Sequence, residues 1–278
     1  MAQGYYVIRT YECGSVGEKI KYWVPGEKPQ RMTRRASSDV AQQARNDRNS
    51  VRAAARLFHC NFAAGDYCLE LDYSDKGLAR LEKTAKKNAP SQARAGFLPE
   101  NAILDAAAHE LSLLVRRVNR ELSRLGLPNL KAFWITSDLD GETGEVVRVH
   151  HHAVIPADQR VLKVIRDKWA CCGYVGMKEL RHQDDYTPLI EYFRAQVRNA
   201  SGEAWYSITR GNFVRPVPVD RIAKGGGLLR APQGAELLFM SEVRRFEGGN
   251  SPQYVRYSLP ARRRKKNKKP IPECGEGE

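Results

Sequence analysis

The chain has 278 residues, with 46 Lys and Arg against 32 Asp and Glu, a net charge of +14 at pH 7. That length holds one sizeable core with appendages or two small domains, and the basic surplus points to a polyanionic partner, nucleic acid before membrane. No apolar run approaches the ~20 residues of a membrane helix and no secretory signal is visible; the six cysteines form no Cys-x-x-Cys pair, which argues against a zinc site or disulfide framework and fits a reducing cytoplasm.

In chain order, Tyr5–Tyr11 and Ile20–Val24 read as two strands across a Gly-containing turn, followed by a basic link, Lys28–Arg35. Ser37-Ser38-Asp39 opens a helix that runs to Phe58, with Arg45, Arg48, Arg52 and Arg56 at steps of three to four, either a solvated face or a phosphate-facing one. Cys68–Tyr73 alternates apolar and polar as a half-buried strand does. Gly77–Lys87 reads as a short helix and Asn88–Phe97 as a loop. Glu100–Leu125 is the clearest helix, with an apolar stripe at Ile103, Ala107, Leu111, Leu114, Val118, Leu122 and Leu125, and Gly126 as its stop. Ala132–Ser137 is a strand that turns through residues 139–144 into Val146–Ile155, its antiparallel neighbour. A helix from Ala157-Asp158, a strand Tyr174–Leu180, a helix from Asp184-Asp185 and a short strand Trp205–Thr209 follow. Pro216, Pro218 and Gly225–Gly227 suggest a linker, Leu237–Phe246 and Tyr254–Leu259 a last strand pair, and residues 262–269 a basic tail.

The strand Val146–Ile155 reads Val-Val-Arg-Val-His-His-His-Ala-Val-Ile. Side chains alternate along a strand, so His150 and His152 share one face and His151 takes the other. Two imidazoles two residues apart can hold one divalent ion, with a carboxylate from a neighbouring strand as third ligand. Asp138, at the end of the preceding strand, is the first choice; Glu70 and Asp72 are the others. A metal with open positions polarises a phosphoryl oxygen, and a tyrosine can then act as nucleophile. Tyr192, on a helix, and Tyr186, at that helix's start, are the candidates. His59, His109 and His182 are scattered and read as structural or exposed.

The order of the Gly65–Tyr73 strand, the His150-His151-His152 strand and the Leu189–Tyr192 helix resembles the HUH endonucleases, in particular the rolling-circle replication initiators of small phages and plasmids. The resemblance covers Asn61 to Asn212. It implies an α+β fold: an antiparallel sheet of RRM-like topology with helices packed on it, residues 61–212, between an N-terminal strand pair and basic helix (1–60) and a C-terminal extension with its tail (213–278). It implies Mg2+ or Mn2+ held by His150, His152 and Asp138, and Tyr192 as the nucleophile that nicks and rejoins single-stranded DNA at a replication origin in the cytoplasm of a bacterial host. Without a phosphate-binding loop of the Gly-x-x-x-x-Gly-Lys type, a host helicase would unwind the duplex and a host polymerase would extend the freed 3′ end. Three positions depart from the family's pattern: His151 stands between the ligands, Ala195 stands where a lysine often follows the tyrosine, with Gln196 as a partial substitute, and Ser137 stands where the acidic ligand is expected. The alternative from another class is a non-catalytic, RRM-like single-strand-binding protein; a zinc hydrolase using the triple histidine is a third.

Overall fold

The computed structural model describes residues 4–26, 40–99, 101–198, 204–223, 225–243, 245–246, 249–250 and 252–259. The chain is α+β, built on two antiparallel five-stranded sheets. The Lys28–Arg35 link, the Ser37–Asp39 helix start and the basic tail lie outside the described residues.

The central sheet comprises β3 (Tyr67–Tyr73), β4 (Phe133–Leu139), β5 (Val146–Ile155), β6 (Gly173–Glu179) and β7 (Ser207–Ile208), in the order β6-β3-β5-β4-β7. Alternation along β3 sends Leu69, Leu71 and Tyr73 to one face, where α2 (Asp75–Asn88), α4 (Ala102–Arg124) and α5 (Gln159–Trp169) close the main core. The α4 stripe seals it with Ala107, Leu111, Leu114, Val118 and Leu122. Each fully buried leucine or valine there contributes about 1.5–3 kcal/mol. Ser74 caps α2 by accepting from the Gly77 amide, and Asp158 caps α5 by accepting from Arg160. α4 ends before Gly126, whose φ of +68° only glycine adopts cheaply. The stretch 88–97 is not wholly a loop: Pro90 starts a short helix, α3 (Pro90–Arg94), since proline is pre-set for a first helical turn.

The opposite face of this sheet is only half covered. α1 (Val40–His59) and α6 (Thr187–Ala195) pack Ala54, Ala55, Phe58, Ile190 and Phe193 onto Phe133, Ile135 and Val154. The β3–β6 half of that face is open, with Glu70 exposed and Tyr174 73% exposed.

The segments flanking the central sheet in sequence meet in the second one. β1 (Tyr5–Cys13) and β2 (Val16–Val24) form a hairpin, joined by β8 (Val219–Ala223), β9 (Leu237–Met240) and β12 (Gln253–Ser258) in the order β8-β1-β2-β12-β9. β8 lies in the stretch that reads as a linker. A two-stranded ribbon, β10 (Arg245–Phe246) and β11 (Gly249–Asn250), precedes β12. Gly14 turns the hairpin at φ +59°, and a side chain there would meet the His59 carbonyl at 2.3 Å.

α1 joins the two sheets through chemically different faces. Its alanines and Phe58 enter the apolar core, while Arg52 lies 3.8 Å over the Tyr254 ring and Arg56 lies 4.2 Å over Tyr11 and bonds buried Glu18 at 3.1 Å. Two of the four arginines of the helix stripe thus serve the sheet contact rather than solvent or phosphate. Asp185 completes the joint, 3.2 Å from His59 and 2.9 Å from Arg256 of β12.

Candidate metal centre

β5 carries the site because its two faces differ. Val149, His151 and Ala153 turn into the main core; His150 and His152 turn to the half-open face. His151 is wholly buried, its Nδ1 2.9 Å from the Thr136 hydroxyl and its Nε2 2.8 Å from the Tyr73 hydroxyl. Burial, then the neighbouring His150 and His152, push its pKa down to about 3, so it is a neutral, fully bonded core residue.

On the other face, register places Glu70 opposite His152, and Asp72 opposite His150. The donor atoms of Glu70, His150 and His152 lie within 4.8 Å of one another, and neither Asp72 nor Asp138 belongs to this group. His150 Nε2 and His152 Nε2 are 3.1 Å apart. The His150 Nδ1 sits 2.9 Å from the Arg148 carbonyl, so it carries the proton and leaves Nε2 as a bare lone pair aimed at His152. Burial, followed by His150 and Lys178, lowers the His152 pKa to about 4, against an opposing contribution from Gln196; the ring is a neutral donor at pH 7. Two nitrogens each about 2.1 Å from one ion at a right angle stand about 3 Å apart. The spacing, the tautomer and the carboxylate therefore fit a divalent cation held by two imidazoles and one carboxylate, with open coordination positions.

Asp138 does not take the third place expected for it. Ser137 pairs with His150 and turns to the site face, where its hydroxyl donates to the Gln196 carbonyl at 2.5 Å. The ladder is irregular between Ser137 and Leu139, and Asp138 turns to Arg198, which grips both carboxylate oxygens at 2.8 and 2.7 Å. Asp138 lines a cavity of about 1450 Å3 with Trp134 and Arg198, and none of Glu70, His150 and His152 lines it.

α6 sits against the ligand pair. Phe193 stacks on His152, centroids 5.6 Å apart and planes at 21°. Tyr192, the preceding residue, is 43% exposed and packs against the β4–β5 turn. A side chain at Gly141 would come within 2.5 Å of the Tyr192 ring and 2.9 Å of the Gln196 amide, so this turn needs its glycine to admit both. Gln196 is buried, and its Oε1 has no hydrogen-bond partner among the described residues. Tyr186 is not available as a nucleophile in this arrangement: it is buried between Phe58 and His59, and its hydroxyl donates to the Arg181 carbonyl.

Glu70 is legible as a candidate ligand from the alternation of β3: Glu70 and Asp72 occupy its polar face with the two-residue spacing of His150 and His152. Lys178, on β6, carries no such signal in a strand of mixed polarity. Comparison of the chain with family models, curated proteins and solved structures gives no match.

Proposed function

We propose that the protein is a metal-dependent nuclease and strand transferase for single-stranded DNA, of the HUH type, acting in the initiation of rolling-circle replication. The observation that carries this reading is the cluster of Glu70, His150 and His152, its two imidazole Nε2 atoms 3.1 Å apart, at the edge of the helix that bears Tyr192. The strand order β6-β3-β5-β4, with helices following β3 and β5, supports an RRM-like core, since numbering those four strands along the chain gives 4-1-3-2. The open β3–β6 half of the site face supports access by an extended substrate.

In this reading Glu70, His150 and His152 would hold Mg2+ or Mn2+, which when bound would stabilise the charge that builds on the scissile phosphate. The Tyr192 phenol gives its proton to water as its oxygen attacks phosphorus, and water returns a proton to the departing 3′-oxygen. The 5′-phosphate stays on the tyrosine, conserving the bond for rejoining. Phe193 and Gly141 fix the approach of the phenol. Ala195 stands where the family often has a lysine, and Gln196, one residue on, presents a neutral amide beside His152 as a partial substitute. No helix is long and apolar enough to cross a membrane among the described residues.

The test is incubation with a labelled pool of single-stranded DNA and Mn2+, followed by denaturing electrophoresis. Label should travel with the protein, should vanish with chelator, and should be absent in Tyr192→Phe. An undiminished adduct in Tyr192→Phe removes Tyr192 from the role, and no adduct with any divalent ion removes the nuclease reading.

A further inference from the structure

The second sheet carries a feature the metal centre does not use. Register puts Tyr6 opposite Trp23, Ile8 opposite both Lys21 and Arg221, and Thr10 opposite Lys19, so these side chains share one face, the one turned away from α1. Trp23 is 46% exposed and meets Tyr6 edge to face at 4.9 Å. Next to this pair lies a cavity of about 260 Å3, lined by Thr10, Lys19, Lys21, Arg221 and Arg230 with apolar walls from Ile8, Leu228 and Leu229.

Among the described residues four cations line this cavity and no carboxylate does. Lys21 is 4% exposed; its ammonium donates to the Gly225 and Gly227 carbonyls at 2.9 and 2.5 Å and stands 5.0 Å from the Tyr6 ring. It is thus fixed in place by neutral groups, and no carboxylate pairs with it among the described residues. Lys19 donates to the Arg230 carbonyl at 3.3 Å. Burial, and then Arg221, hold Lys19 below the usual lysine range. Glu12 shares this face but sits at the hairpin turn, outside the cavity. Holding like charges together without a counter-ion is costly, and an anion in the cavity relieves the cost. An exposed indole beside it adds a surface on which an unpaired base stacks.

We propose that this face is a second binding surface for single-stranded DNA, separate from the metal centre, taking a backbone phosphate between Lys19, Lys21, Arg221 and Arg230 and a base on Trp23. It rests on the proposed function only for the class of ligand, and it requires no cleavage. In that arrangement the sheet holds the strand flanking the reacting phosphate, and altering the sheet weakens the grip on that flank while leaving the metal ligands as they are.

The experiment measures binding of a labelled oligothymidylate to the full chain in chelator, by fluorescence anisotropy over a salt series. Arg221 and Arg230 are exposed, so Arg221→Ala/Arg230→Ala spares the fold. This variant should flatten the dependence of log K on log salt by about 0.7 for each phosphate that is no longer neutralised. Trp23→Ala should weaken binding about tenfold, the effect of one stacked base. Both variants should bind Mn2+ as the wild type does. Unchanged slope and affinity in both variants overturn the proposal, as does wild type that fails to bind the oligonucleotide, or a weakening of the same size for duplex DNA or for vesicles of anionic lipid. Failure of the nuclease reading shows separately, as absence of a Mn2+-dependent adduct from wild type that binds the strand normally.

Discussion

Replacing Asp185 tests how the two sheets are held. Its carboxylate lies 3.2 Å from His59 at the end of α1, 2.9 Å from Arg256 on β12, and accepts the Thr187 amide at 2.9 Å at the start of α6. The three partners come from three elements, and the side chain is 13% exposed. Burial alone would raise the Asp185 pKa, but the hydrogen bonds from His59 and Thr187 and the field of Arg256 outweigh it and hold the group at about 2. An unfolded aspartate titrates near 3.9, so the ionised form contributes about 2–3 kcal/mol to stability at neutral pH. The folded pKa is depressed. The contribution is therefore complete above about pH 5 and is lost as pH falls through 4 towards 2. Asp185→Asn keeps the shape and removes the charge, and should cost about 2–3 kcal/mol at pH 7. Asp185→Ala also strands Arg256 and should cost about 3–5 kcal/mol. Urea unfolding in chelator, followed by circular dichroism from pH 7 to pH 2.5, measures both. The gap between wild type and Asp185→Asn should close on acidification. A gap that persists at low pH, or that never exceeds about 0.5 kcal/mol at pH 7, would refute the account.

Glu70→Ala should weaken Mn2+ binding by about tenfold or more in calorimetry, because a direct ligand is worth at least as much as the outer-shell partners of a metal site, whereas Asp138→Ala should leave it unchanged. Gly141→Ala should reduce the tyrosyl adduct while Mn2+ affinity is kept, since the added Cβ would stand 2.5 Å from the Tyr192 ring; an equal fall in both would show that the turn shapes the whole site instead. Tyr73→Phe removes the partner of His151 Nε2 inside the main core and should lower the unfolding free energy by about 1–3 kcal/mol with Mn2+ binding intact, the measurement being urea unfolding at pH 7.

Where local periodicity carries the information, the sequence is a good guide. The stripe from Ile103 to Leu122 specifies α4 on its own, and three histidines inside a valine-rich strand assign two rings to one face and one to the other. Asp138 illustrates where that stops. Nearness in sequence to the histidine strand favours it, but a ladder irregularity decides its direction and Arg198 then holds it. Glu70, the carboxylate that does group with the two histidines, lies on a strand far upstream in sequence and is brought opposite His152 only by pairing. β8 is hidden for the same reason: Val219–Ala223 follows two prolines and pairs with β1, more than 200 residues away. The arginine stripe of α1 is visible, but periodicity does not say what a stripe faces, and here Arg52 and Arg56 face aromatic rings of the second sheet.

The position of α6 follows from the chemistry of the face beneath it. Along β4 and the far end of β5 that face is Phe133, Ile135 and Val154, which α1 and α6 cover. Along β3, β6 and the near end of β5 it is Glu70, Asp72, Lys178 and His150, which an apolar helix cannot cover without stranding charges. The change from one to the other falls at His152, which is why Phe193 stacks there and α6 goes no further. A helix stopped at that line holds Tyr192 at the rim of the polar half instead of above it. The same apolar-to-polar step on the sheet that leaves the ligands accessible therefore also sets how far the phenol must reach, and moving the step by one row, as His152→Phe would, should draw α6 over Glu70 and remove access and ligand together.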